Sequence, residues 1–190
     1  MMKKIFTLII CLAITGGMFA QEKGFSWGVK AGLNLSDFIG KDTKDTKMKA
    51  NLNAGIFTEF RCSDKFSVGP ELVYSAQGTS LGKIDGETLR IKAEYINLPI
   101  MAKYYVANKF SINLGPQIGY AISMKGKAGS EKEKFDKDTY NKFDFSIGVG
   151  GTYNFGKFFA DARYNFGLTK VIKDSKTKNS VIQIGVGYRF

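Results

Sequence analysis

The sequence contains no histidine, and that absence removes more chemistry than any other feature of its composition. Ser-His-Asp and Cys-His centres need an imidazole base, zinc sites lean on imidazole ligands, and His is the commonest acid–base group near neutral pH. Cysteine is nearly absent too, with only Cys11 and Cys62. If Cys11 leaves with an amino-terminal leader, Cys62 stands alone and no intramolecular disulfide can form. Long apolar runs are missing beyond residue 20, so no α-helix there reaches the ~20 residues a membrane span requires. Acidic residues are in deficit: 17 Asp and Glu face 28 Lys and Arg, for a formal charge of +11. Such a basic balance raises nucleic acid as a partner. For a chain carrying an export signal, nucleic acid is not an expected partner, and the placement of the lysines matters more than their number.

The first twenty residues carry that signal. Lys3 and Lys4 precede an apolar stretch from Ile5 to Ile14 that is broken only by Thr7, and Gly16, Gly17 and Ala20 then supply small residues before Gln21-Glu22-Lys23. This order predicts a secretory signal peptide over 1–20, cleaved after Ala20, and a single domain over 21–190. Ile10 before Cys11 is too bulky for a lipoprotein cleavage site.

Period-two alternation fills the remainder, which marks strands with one apolar face. Over 110–124, Phe110, Ile112, Leu114, Pro116, Ile118, Tyr120, Ile122 and Met124 fall on one side, against Ser111, Asn113, Gly115, Gln117, Gly119, Ala121 and Ser123. Segments 143–155 and 182–190 repeat the pattern. Comparable alternation covers 27–36, 51–61, 66–77, 158–169 and, less cleanly, 89–105. Eight strands are therefore expected. Their connections alternate between short (62–65, 106–109, 156–157) and long and polar (37–49, 78–88, 124–141, 170–179). Short turns at one end and long loops at the other describe an all-β, antiparallel up-and-down transmembrane barrel. A hairpin unit also repeats: Lys65-Phe66, Lys109-Phe110 and Lys157-Phe158 each open the strand after a short turn, placing a lysine and an aromatic at one height.

Alternation alone leaves the apolar face pointing either inward, as in a soluble lipocalin-like carrier, or outward to lipid. Three features choose lipid. The polar face of 111–123 carries no charge, only small or neutral residues suited to a crowded interior, and an eight-stranded barrel has just enough lumen for side chains to fill. Trp27, Phe60, Phe66, Tyr104, Phe110, Phe155, Phe158, Tyr188 and Phe190 gather at the short-turn end, with Tyr74, Tyr95, Phe143 and Phe166 toward the other rim, as interfacial girdles do. The last strand ends in Phe190, with Tyr188, Val186 and Ile184 on its face, similar to the terminal signal read by the barrel-assembly machinery.

Pro70, Pro99 and Pro116 fall inside strands, where proline cannot donate to the ladder and belongs at bulges. In 89–105 the apolar parity slips: Leu89, Ile91 and Ala93 give way to Ile96, Leu98, Ile100 and Ala102. A bulge is expected near Tyr95, beside Asn97 and Pro99.

The polar face collects ionisable residues: Glu59, Arg61, Glu71, Asp144, Asp161 and Arg163, with Lys30 and Glu94 as further candidates. Charges in a narrow lumen are costly unless paired, so the set reads as an ion-pair plug in preference to a conducting path. Lysines crowd the long loops, at 41, 44, 47 and 49, at 125, 127, 132, 134 and 137, and at 170, 173, 176 and 178. They are placed to meet lipopolysaccharide, with its phosphorylated lipid A sugars, or to be ordinary solvated loops. Asp136-Lys137-Asp138 lacks the glycine and terminal glutamate of a calcium loop, and Gly148-Val149-Gly150-Gly151 fits no phosphate loop. No cofactor, metal or enzymatic activity is expected.

Trp27-Gly28-Val29-Lys30-Ala31-Gly32-Leu33-Asn34, the stretch Tyr95-Ile96-Asn97-Leu98-Pro99, the Gly-Pro strands and Gly187-Tyr188-Arg189-Phe190 together resemble the PorT-type outer-membrane β-barrel domain family. The resemblance implies an eight-stranded barrel of the OmpA and OmpX kind in the cell outer membrane. Some relatives assist a secretion apparatus. The functions in play are a structural or surface-interaction barrel with envelope protein partners, a small passive channel, a secretion accessory, and the soluble carrier.

Overall fold

The structure is a computed structural model that describes residues 24–40, 47–84, 87–128, 131–135, 139–172 and 177–190. The leader at 1–20 lies outside the described residues, as do Lys41, Lys44, Lys137, Lys173 and Lys176. Nine strands are described: β1 (Phe25–Ile39), β2 (Lys47–Ser63), β3 (Phe66–Ile84), β4 (Glu87–Ala107), β5 (Phe110–Ala128), β6 (Glu131–Lys134), β7 (Phe143–Phe155), β8 (Phe158–Gly167) and β9 (Lys178–Arg189). Each pairs antiparallel with its neighbour, β9 returns to β1, and the short β6 adds only to the outer half of β5. The ring is thus closed by eight strands, as the alternation predicts. Closure leaves no unpaired edge at the depth of the lipid, where an open backbone could not be satisfied.

The alternation becomes an outward apolar band. Ile112, Val149 and Ile184 are 48%, 47% and 53% exposed, whereas Gln117 and Asn154 are 4% and 9% exposed and face the lumen. A carrier cavity would require the reverse. At the short-turn end Trp27, Phe60, Phe66, Tyr104, Phe110, Phe155, Phe158 and Phe190 stand exposed in a collar. Trp27 stacks on Phe190 at 4.2 Å, and the Phe190 N–H donates to the Trp27 carbonyl, so these two close the seam between first and last strands. The short turns share one geometry. The Lys65, Lys109 and Lys157 carbonyls accept from the N–H groups of Tyr105, Asn154 and Arg189.

Three expectations are corrected. β4 carries no bulge near Tyr95 against β3, because Ser75↔Tyr95, Ala76↔Glu94 and Tyr74↔Ile96 run in one register. The extra residue lies opposite, on β5: Glu94 pairs with Ser123 and Tyr95 with Ala121, leaving Ile122 bulged. The bulge reverses parity along β5, so Met124 is buried where the unbroken alternation would aim it at lipid. The prolines are also in register, with Pro70 opposite Ile100, Pro99 opposite Gln117 and Pro116 opposite Ile147.

Tyr95 is buried in the interior and is not a girdle residue. The reason is a reversal of polarity along the barrel axis. Around the ring, Phe38, Ile91, Ala93, Tyr95, Ala121, Met124, Tyr140 and Val171 form an apolar cluster inside the loop end, while Arg90 and Lys92 on the same part of β4 face outward. Above the lipid the barrel wraps a hydrophobic core like a water-soluble protein; within the lipid it is inside out. The parity slip in 89–105 is this change of surroundings read along a strand that never changes phase.

Candidate functional site

The lumen is the place where side chains from every part of the chain converge, and it is layered. Nearest the short turns, Glu59 of β2 is the hub. Its carboxylate accepts from Lys103 of β4 at 2.8 Å, Arg189 of β9 at 3.1 Å and Ser67 of β3 at 2.9 Å, and from the Tyr105 hydroxyl. Around the second hub, Glu71 of β3 accepts from the two terminal guanidinium nitrogens of Arg163 of β8 at 2.8 and 3.0 Å, and from Lys30 of β1 at 3.2 Å. Lys30 also reaches Asp161 of β8 at 3.4 Å. In the ring order β3 and β8 stand four strands apart in either direction, so the Glu71–Arg163 fork spans the full diameter. Such bidentate pairs are the strongest ion-pair geometry available.

Two rings fit between the hubs. Phe57 and Phe159 meet edge to face at 5.3 Å, and Lys103 lies over Phe57. They fit because the backbone facing them has no side chain. A Cβ on Gly28 would strike Phe57, and one on Gly187 would strike Phe159. The void left among Lys30, Phe57, Glu71, Lys103, Thr152, Phe159, Asp161 and Arg163 is about the size of one water molecule.

Toward the loops the ion pairs give way to amides and hydroxyls. Asn34 donates to Ser75 at 2.9 Å and to the Ala76 carbonyl, and accepts from Asn53 at 2.8 Å and Gln183 at 3.0 Å. Asn113 to Thr152 and Gln117 to Ser146 continue this amide and hydroxyl layer. The apolar cluster around Tyr95 then closes the loop end.

Of the lumen candidates named from sequence, Glu59, Glu71, Asp161 and Arg163 lie in the two ionic hubs, and Lys30 joins them. Arg61 does not. It is exposed at the rim, donates to the Asp64 carbonyl at 3.1 Å, and touches the first hub only through the Tyr105 ring, 4.0 Å away. Asp144 is buried but accepts from Thr169 at 2.9 Å, apart from the hubs. Glu94 faces outward and pairs with Lys92 at 2.9 Å. Sequence reading missed Lys103, Arg189, Phe57 and Phe159. Holding the parity of Ile91, Ala93 and Tyr95 unbroken along β4 would have found Lys103; parity with Glu59 and Asp161 would have placed both rings inside.

Residues 19–173 match the family described as outer membrane protein beta-barrel domain. No curated protein matches the chain. Among solved structures, the Neisserial surface protein A is similar at a TM-score of 0.62 and 12% identity, covering 88% of this chain and all 100% of that one. The attachment invasion locus protein of Yersinia pestis is similar at 0.55 and 16% identity, covering 89% of this chain and 100% of that one. At these identities the likeness establishes the fold alone.

Proposed function

This chain belongs to the outer membrane β-barrel domain family and resides in the outer membrane, and we propose that it is a sealed structural and surface-interaction barrel, not a conductor or an enzyme. One observation carries the reading: the Glu71–Arg163 fork crosses the whole lumen between the Glu59 hub and an apolar cap. A hydrated ion path would need a continuous polar passage, and the cap and the Phe57–Phe159 pair interrupt one at two depths. A lumen packed in this way fixes strand register and frees the loop end to be the working surface. The lack of histidine supports a non-enzymatic role that needs no cofactor.

The partners that fit this reading are outer-membrane lipids, lipopolysaccharide and envelope proteins at the loop end. The barrel-assembly machinery would read the exposed Phe190 with Tyr188 during biogenesis. The finer PorT-type affiliation, carried by Tyr95-Ile96-Asn97-Leu98-Pro99 and the Gly-Pro strands, belongs to the same proposal, and deletion followed by a secretion assay tests its accessory role. Conductance tests the sealed lumen. Purified barrel inserted in planar bilayers is expected to give no discrete steps above baseline, and reproducible unitary openings would overturn the reading.

A further inference from the structure

The strands of the ring are unequal in a way that the lipid layer does not require. A tilted span needs ~9–11 residues, yet β3, β4 and β5 run 19, 21 and 19 residues while β8 runs 10. One wall of the barrel therefore continues beyond the apolar band at the loop end. On its outer face β4 carries Arg90 and Lys92, and β5 carries Lys125 and Lys127 past the Ile122 bulge.

The register sets these cations against one another. Arg90 stands directly opposite Lys127, and Lys92 opposite Lys125. The series continues in β6, whose Lys134 and Lys132 stand in register with Lys125 and Lys127. Like charges directly opposite across an antiparallel pair destabilise it, and here two consecutive rows between β4 and β5 carry them. Among the described contacts one carboxylate answers them, Glu94 on Lys92. Lys49, at the loop-end tip of β2, shares the field. Partial burial first, then Arg90, Lys92 and Lys127, hold its ammonium pKa below the ordinary value.

Position selects the counter-charge. Immediately below on the same outer faces lie Leu98 and Ile100 of β4 and Ile118 and Ile122 of β5, all exposed in the apolar band. A lipid whose acyl chains lie along those four residues has its headgroup at the cationic rows. We propose that the outer face of the β4–β5 wall is a binding surface for the phosphate groups of an outer-leaflet glycolipid. The anion would offset the like-charge rows, which among the described contacts only Glu94 answers. The inference rests on the reading of the loop end as the working surface and adds the ligand class and the residues.

The test uses the full-length barrel refolded in zwitterionic detergent, titrated with diphosphorylated lipid A, the same glycolipid without phosphates, and inorganic phosphate, with binding read by native mass spectrometry. Wild type is expected to bind the phosphorylated lipid alone. R90Q/K92Q/K125Q/K127Q is expected to weaken that binding about 10-fold or more, since each basic residue near a charged lipid surface contributes appreciably. K65Q/K109Q/K157Q, which removes as many lysines as there are short turns from the opposite end, is expected to bind within about 2-fold of wild type. Equal binding of the phosphate-free lipid, equal loss in the short-turn variant, or displacement by inorganic phosphate alone would each overturn the proposal. Retained heat-modifiable migration of both variants verifies folding. Conductance by wild type would refute the sealed lumen without touching the lipid result, so the two failures are separable.

Discussion

Replacing Glu71 by Gln removes the one carboxylate that holds Arg163 and Lys30 together, while changing the volume of the lumen hardly at all. Arg163 and Lys30 are both buried, and Asp161 is the carboxylate left to face them. Breaking one partner of a buried pair strands an uncompensated charge, at a cost of about 3–5 kcal/mol. Against a total stability of roughly 5–15 kcal/mol for a folded domain, that is a large fraction. With a urea dependence of about 1–3 kcal/mol per molar, the unfolding midpoint in lipid vesicles should fall by about 2 M, followed through the fluorescence of Trp27. The double variant E71Q/R163Q should recover more than half of the loss, because Lys30 then has Asp161 to itself. E94Q supplies the comparison. It breaks the outward Lys92–Glu94 pair, whose partners are partly exposed, and should cost about 0–1 kcal/mol. If E71Q costs no more than E94Q, the lumen is hydrated and the fork is not a strut.

Leu114→Lys places a charge in the apolar band of β5, where it should cost about 2–4 kcal/mol, while the same urea titration of Ser123→Lys, outside the band, should show little change. Gly187→Val drives side-chain atoms into the Phe159 ring and should cost about 1–3 kcal/mol as overpacking does; pairing it with Phe159→Ala should restore part of the loss. Deleting Ile122 removes the β5 bulge yet leaves Ser123 opposite Glu94 and Met124 opposite Ala93, so Met124 should stay in the apolar cap and the loop end should resist added protease as wild type does. Rapid proteolysis of the loop end in this variant would mean that the extra residue is needed to hold Met124 inside.

Where the surroundings of a strand stay constant along its length, the residues disclose the fold directly. β7 alternates Asp144, Ser146 and Gly148 inward against Phe143, Phe145 and Ile147 outward, and its sequence says as much. β4 and β5 are harder because their surroundings change. Ile91, Ala93 and Tyr95 point the same way as Asn97 and Lys103, yet the first three meet a core and the last two a polar lumen. Polarity read without depth therefore mimics a bulge where none exists, and hides the real one at Ile122. The ionic hubs were half legible for a similar reason. Parity assigns Glu59, Glu71, Asp161 and Arg163 to the interior, but it cannot say that β3 and β8 lie diametrically opposed, which is a property of the closed ring. Arg61 shows the limit from the other side: its parity is inward like that of Glu59, but its place beside the turn puts it on the rim.

The most direct test of the account is depth-resolved quenching by brominated acyl chains. Single cysteines at Ile112, Val149, Ile184, Gln117 and Asn154, introduced in a Cys62→Ser background and labelled with a small fluorophore, would be compared in lipid vesicles. Strong quenching at Ile112, Val149 and Ile184, with Gln117 and Asn154 resistant to labelling or unquenched, is the expected result. Strong quenching at Gln117 and Asn154 with Ile112, Val149 and Ile184 dark would turn the barrel right side out and contradict the account at its root.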